Sequence, residues 1–151
     1  MTAIAFLAFN AVLLAAAASD VSSMRIPNVL PTLLAAGAIV FAFPASWAEA
    51  ASRLAVAALI GLIGGVLWLR RILGGGDLKL LAAAGLWIPL HSAMAFATFL
   101  GLAGGAQSLI TLAWVGLQPS LQSRLAPGWR YMPYGVSIAT AGLAWSGAQL
   151  L

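Results

Sequence analysis

The sequence has no cysteine, one histidine and only three acidic residues, Asp20, Glu49 and Asp77. The absence of cysteine excludes disulfides, thiolate nucleophiles and cysteine-ligated zinc. A single histidine and three acids offer few ligands for any other metal. We therefore expect a site that works without a metal ion.

Charge is also scarce. Only 7% of the 151 residues are charged and 63% are hydrophobic, whereas soluble domains carry about 25% charged residues. A helix needs about 20 apolar residues to cross a bilayer. The sequence therefore predicts an all-α polytopic membrane protein, with six transmembrane helices in one bundle and a single membrane-embedded domain over residues 1–151. The uncharged intervals are Met1–Ser19, Ile26–Ala48, Leu54–Leu69, Leu80–Ser123 (long enough for two spans) and Tyr131–Leu151.

The basic residues lie mostly on one side of the predicted membrane. We place the spans near residues 2–19, 29–46, 54–69, 78–90, 93–116 and 132–150, so that the loops alternate between the two faces. Lys and Arg in short loops mark the cytoplasmic face, which predicts that both termini are periplasmic. The net charge of +4 then reflects orientation, and no nucleic-acid partner is needed. One face receives Arg25, Arg70, Arg71, Lys79, Arg124 and Arg130, and the other receives only Arg53.

Tryptophan and glycine give two further expectations. Tryptophans near the ends of spans are typical of the aromatic belts at membrane interfaces. Glycines four residues apart are typical of close helix packing. The tryptophans concerned are Trp47, Trp68, Trp87, Trp114 and Trp129, and the glycine pairs are Gly61 with Gly65 and Gly101 with Gly105.

Two of the three acids occupy positions where charge is costly. Asp20 ends the first predicted span and Asp77 opens the fourth, whereas Glu49 falls in the outer loop. Because two complete spans separate Asp20 from Asp77, both return to the same face. A carboxylate in the membrane costs up to about 2.5–3.5 kcal/mol, so such residues are functional candidates. From spacing alone, two unrelated interfacial acids paired with Arg25 and Lys79 explain the pattern equally well.

A pair of carboxyls is sufficient chemistry for peptide hydrolysis. An ionised carboxylate takes a proton from water while a protonated partner hydrogen-bonds the scissile carbonyl. Asp77 follows three glycines at a predicted helix start, where the helix dipole favours negative charge, and Asp20 lies near a helix end. We therefore predict Asp77 as the resting base and Asp20 as the resting acid.

The residues around both aspartates resemble the prepilin peptidase family of GxGD membrane aspartic peptidases. The first match is residues 20–28, Asp-Val-Ser-Ser-Met-Arg-Ile-Pro-Asn, and the second is residues 74–80, Gly-Gly-Gly-Asp-Leu-Lys-Leu. A softer match is residues 132–136, Met-Pro-Tyr-Gly-Val. Here Asn28 suits a helix N-cap and Pro27 a turn before the second span.

The resemblance implies a specific activity. Asp20 and Asp77 would be the catalytic pair, and Gly74 and Gly76 would keep the backbone at Asp77 adaptable. Arg25 and Lys79 would position substrate or lipid headgroups, or simply anchor the chain at the interface. The implied substrate is a prepilin or pseudopilin whose short basic leader ends in Gly and is cut at the cytoplasmic face of the bacterial inner membrane, directly before its hydrophobic helix. An enzyme of this class would need both carboxyls and no cofactor. Its partners would be that substrate and membrane lipid, with the oligomeric state left open.

Two departures from the family and two alternatives bear on this interpretation. Larger members have an N-terminal extension with paired CxxC zinc motifs and also N-methylate the mature pilin. This chain resembles the short form associated with Flp/Tad-type pili, and nothing in it points to methyltransferase activity. The alternatives are an inactive relative serving as a structural subunit of a pilus or secretion machine, and a small transporter whose acids line an ion path.

Overall fold

The computed structural model describes residues 3–42, 46–117 and 132–150, and every regular element in those ranges is helical. This confirms the all-α prediction, and the helices follow the predicted order. The elements are α1 (Ala3–Ser23), α2 (Val29–Gly37, continued by a π-helical turn, Ala38–Ala42), α3 (Trp47–Leu69), α4 (Gly75–Gly85), a 3₁₀ turn (Leu90–Ser92) that leads into α5 (Ala93–Leu117), and α6 (Tyr134–Ala148).

Three segments are long and apolar enough to cross a membrane: α1, α3 and the continuous stretch Leu90–Trp114. Together they indicate a multi-pass membrane protein. By contrast, α4 has 11 residues and α6 has 15, below the usual 17–25 of a transmembrane helix. Six complete crossings therefore stay a prediction.

The short helix α4 lies at the centre of the fold, packed on α2, α3 and α6. Its Gly85 allows α3 to approach closely, since a Cβ atom there would stand 2.9 Å from the Cα atom of Ala57. Leu80 and Ala84 are fully buried. The start of α4 is thereby fixed relative to three neighbouring helices.

Helices α1 and α6 also form a close pair. Gly142 leaves no room for a side chain, because a Cβ atom there would overlap the Leu13 side chain. The Ser146 hydroxyl, near the C-terminal end of α6, donates a hydrogen bond of 2.9 Å to the Asn10 side-chain oxygen on α1. As a result the C-terminal end of α1, which carries Asp20, lies beside the beginning of α6.

Trp87 shows that the belt prediction was wrong for one tryptophan. Its side chain is 1% exposed, and its indole N–H donates to the Leu34 carbonyl at 2.8 Å. The ring packs 5.1 Å from Phe9, which in turn contacts Trp145. The chain turns inward after α4, and a buried tryptophan with its N–H satisfied is a stable core residue. Trp47, Trp68 and Trp114 are half exposed or more, as predicted, and Trp129 lies outside the described residues.

The predicted second loop is wrong at Glu49 and Arg53. Helix α3 begins at Trp47, so both residues are helical, and the Ser46 side chain caps the helix by accepting from the Glu49 N–H. Arg53 is 3% exposed. Its guanidinium donates to Glu49 at 2.8 Å and to the Trp87 carbonyl. This buried arginine connects α3 to the segment after α4.

We expect Arg53→Met to lower the thermal stability of the protein in detergent. The Trp87 carbonyl would lose its donor, and an unsatisfied buried polar group costs about 1–3 kcal/mol. For a domain of this size that corresponds to a fall in melting temperature of several degrees. Glu49→Gln is the matched control with a smaller expected loss, because the Glu49 side chain is 43% exposed. An Arg53→Met protein that melts like the wild type would contradict this role.

Candidate active site

Asp20 lies in the last turn of α1 and is only 7% exposed. Its Oδ2 accepts a hydrogen bond of 2.8 Å from the backbone N–H of Gly135, at the start of α6. A Cβ atom at position 135 would stand 2.9 Å from that same oxygen. Glycine at 135 therefore lets the α6 backbone come close enough to bind the carboxylate.

The chain leaves α1 through a tight turn. Met24 adopts a left-handed φ of 51°, which is uncommon for a residue with a side chain. The Met24 N–H still donates to the Asp20 carbonyl at 2.8 Å, and the Ser19 hydroxyl donates to the Arg25 carbonyl at 2.9 Å. These bonds direct the next residue, Ile26, towards α4.

Asp77 lies in the first turn of α4, before the predicted span 78–90. Gly74 is the N-cap residue, and its backbone N–H hydrogen-bonds the Asp77 carboxyl, as the third helical residue does in a capping box. A Cβ atom at position 74 would stand 2.6 Å from the Asp77 Oδ2. The other oxygen, Oδ1, is buried and has no hydrogen-bond partner, so it is left available to water or substrate.

Burial raises the pKa of Asp77 to about 6, with a further contribution from the negative charge of Asp20 and an opposing one from the Gly74 N–H. An influence of one carboxylate on the other is the behaviour expected of a coupled pair. Because the negative charge of Asp20 is among the causes, the shared proton of the pair is favoured on Asp77, so the predicted role of Asp77 as the resting base gains no support and stays a prediction.

Both carboxyls line one cavity of about 360 Å³. Its wall includes Trp68 from the end of α3, Arg71 from the α3–α4 loop and Tyr134 from the start of α6. Arg71 has a left-handed φ of 58°. The α3–α4 loop, with its run of glycines, thus forms one wall, and the ends of α1 and α6 form another.

The two sequence motifs contact each other directly. A Cβ atom at Gly76 would stand 3.1 Å from the Ile26 Cβ, so α4 packs against the Ile-Pro-Asn segment with nothing between them. The Lys79 ammonium donates a 2.9 Å hydrogen bond to the Asn28 side-chain oxygen. Asn28 does stand at the N-cap position of α2, but its side chain makes no capping bond. The predicted N-cap position is therefore confirmed, but the capping hydrogen bond is not made, because the side chain is bound to Lys79 instead.

The remaining candidate residues divide between the cavity and the surface. Gly74 lines the cavity, and Gly76 lies in the same turn as Asp77. Lys79 and Arg25 are exposed, and neither lines the cavity. Among the described residues the one ion pair is Arg53 with Glu49, so neither aspartate is paired with Arg25 or Lys79. The alternative of two unrelated, salt-bridged acids therefore does not fit the geometry.

Gly135 and Gln107 are functional neighbours of the site to which the sequence assigns no role. The Gln107 side chain on α5 donates to the Pro133 carbonyl at 2.8 Å and accepts from the Ser137 hydroxyl. Gln107 therefore holds the turn at Pro133, and the N–H of Gly135, two residues further along, binds Asp20. The softer motif over residues 132–136 was the available signal for this turn, but no spacing rule connects Gln107 to it.

Comparison with known proteins agrees with the geometry. The sequence profile of the type IV leader peptidase family matches residues 7–112, a range that includes both aspartates and both of their motifs. No curated protein and no solved structure matches the chain. In the parts of the chain that the structure describes, no group of three metal-binding side chains occurs. By the extent of the profile match, the chain belongs to the type IV leader peptidase family.

Proposed function

We propose that this chain is a membrane aspartic endopeptidase that removes the leader peptide of prepilins or pseudopilins, with Asp20 and Asp77 as its catalytic pair. The observation that carries the proposal is the shared cavity. Two carboxyls from motifs far apart in sequence line the same 360 Å³ space, and neither is neutralised by a cation among the described residues. Membership of the type IV leader peptidase family supports a peptidase.

In the proposed reaction the pair holds one proton. The ionised carboxylate removes a proton from water as the resulting hydroxide attacks the scissile carbonyl carbon. The protonated partner donates a hydrogen bond to the carbonyl oxygen as negative charge develops there. The C–N bond then breaks, and the leaving nitrogen takes up a proton from the pair. Water is consumed, two peptides are released, and no cofactor takes part.

The proposed site faces the cytoplasm. Arg70 and Arg71 lie in the α3–α4 loop, and Arg71 lines the cavity, so the cavity opens where the positive-inside rule places the cytosol. Both termini would then be periplasmic, in a bacterial inner membrane. Arg124 and Arg130, assigned to the same face, lie outside the described residues.

The supporting residues receive separate proposed roles. Gly74 leaves room for the Asp77 carboxyl, and Gly76 lets α4 pack on Ile26. Lys79 joins the two motifs through Asn28. Arg25 is exposed on the proposed cytoplasmic side, where it contacts lipid headgroups.

The proposal is tested by reconstituting the wild-type protein in lipid nanodiscs with a panel of prepilins of the type IV and Flp/Tad classes. We expect cleavage at one bond, after the terminal Gly of the basic leader, identified by intact-mass measurement of both products. Cleavage should persist in a metal chelator, because the two carboxyls and water suffice. If the wild-type protein folds normally but cuts no prepilin, the inactive structural subunit is favoured. If cleavage is lost in the chelator, the metal-free aspartic mechanism is excluded.

A further inference from the structure

A second cavity, of about 270 Å³, adjoins the first. Leu73 and Tyr134 line both, so one layer of side chains separates the two spaces. Unlike the first cavity, the second is lined almost entirely by apolar groups. We call it the apolar groove, defined by Ile60, Ile63, Gly64, Leu67, Leu73, Leu81, Leu100, Gly104, Tyr134, Ser137 and Ile138.

The groove lies between two walls. Helix α3 provides one, including Ile63 and Gly64, and helix α5 provides the other, including Leu100 and Gly104. The α5 wall is open at Gly104, where a Cβ atom would meet nothing closer than the Ser137 hydroxyl at 4.0 Å. There is consequently room at this position for a side chain that the protein itself does not supply.

The glycine pairs beside the groove do not pack as the sequence predicted. A Cβ atom at Gly61, Gly65, Gly101 or Gly105 would have no neighbour within 4 Å. The prediction of close packing was therefore wrong within the described part of the chain, since no helix there approaches either glycine pair. None of these four glycines lines the groove.

We propose that the apolar groove binds the apolar side chains that follow the scissile bond of the substrate. This inference rests on the proposed function, and it assigns the specificity site of the same reaction. When the scissile peptide bond lies between the carboxyls, the substrate residues next to it must occupy a neighbouring space. The groove is such a space, because it begins at the Leu73–Tyr134 layer. Its volume is just below the usual range of about 300–1,000 Å³ for ligand pockets, which suits one or two large side chains.

Polarity separates the two cavities into suitable parts. The first contains the carboxyls and the exposed Arg71, where water and a polar leader are tolerated. In the groove, the buried Ser137 hydroxyl is already bound to Gln107, so it does not oppose an apolar guest. A lipid acyl chain is the other occupant that such a lining would accept.

The test fills the groove and changes the substrate to match. Gly104→Leu places a side chain in the open part of the α5 wall, and Gly105→Leu, on the same helix but outside the lining, is the control. Two prepilins are compared, with Phe or Ala directly after the scissile bond. We expect Gly104→Leu to lower kcat/KM at least about tenfold for the Phe substrate, the size of a lost apolar contact in a pocket, and to spare the Ala substrate.

A second variant guards against a simple folding defect. Leu100→Ala enlarges the groove and should shift the preference further towards the Phe substrate. Equal effects of Gly104→Leu on both substrates would overturn the proposal, and would identify a lipid occupant if they vary with acyl-chain length. Wild-type protein that cuts neither substrate would refute the proposed function itself, whereas wild-type cleavage with no change in preference would refute the groove alone.

Discussion

Asp20→Asn and Asp77→Asn are each expected to lower the cleavage rate at least about a hundredfold, below detection in a gel assay. A general acid or base contributes on the order of 10²–10⁴ to a rate, and asparagine can be neither. The substitution keeps the size of the side chain, so the Gly135 N–H can still donate to the oxygen at position 20. The loss would therefore report chemistry and not collapse of the site.

Protein stability provides the internal check on this result. The folded pKa of Asp77 is raised from 3.8 to about 6, so the folded protein binds this proton more tightly than the unfolded chain does. That contribution to stability is present below about pH 4 and is lost as the pH rises through about 6. At pH 7.5 Asp77→Asn avoids burying a carboxylate, and it should melt no lower than the wild type.

Glu49→Gln is the control for removing an acid, because Glu49 lies in the first turn of α3 and does not line the cavity. It should cut at the wild-type rate. Cleavage at more than about a tenth of the wild-type rate by either aspartate variant would contradict the carboxyl pair. An inactive Asp77→Asn protein that also melts well below the wild type would leave the chemistry argument without support.

The meeting of Asp20 and Asp77 was predictable from sequence because membrane geometry is restrictive. Two helices, α2 and α3, lie between the residues and return the chain to the same end of the fold. The contacts that complete the site, Gly76 on Ile26 and Lys79 on Asn28, depend on how α2 and α4 pack. The motifs contain these residues, but they predicted neither contact.

Other features depended on tertiary contacts that no local pattern reports. Arg53 appears in sequence as an interfacial charge, yet it is buried, and its two terminal nitrogens bind the Trp87 carbonyl and Glu49. Trp87 itself looks like a belt residue, and only the inward turn after α4 makes it core. Likewise, the GxxxG spacing at Gly101 and Gly105 allows packing without supplying a partner.

Gly135→Ala is the second substitution from which we expect a large effect. The added Cβ atom would stand 2.9 Å from the Asp20 Oδ2 and 3.2 Å from its Cγ, so the carboxyl has to move. Misplacing a reacting group by about 1 Å can cost a hundredfold in rate. We expect kcat to fall at least about tenfold, with little change in KM, because the groove is untouched. Gly135→Val should fall further.

The matched control is Gly147→Ala, on the same helix α6, where a Cβ atom meets nothing within 4 Å. Both substitutions favour helix by up to about 1 kcal/mol, so neither should lower the melting temperature through propensity. A loss confined to Gly135→Ala would therefore arise from the carboxyl of Asp20, and not from a general change in α6. If Gly135→Ala cuts as fast as Gly147→Ala, the bond from Gly135 does not hold Asp20 for catalysis. In that event the start of α6 is a structural neighbour of the site only.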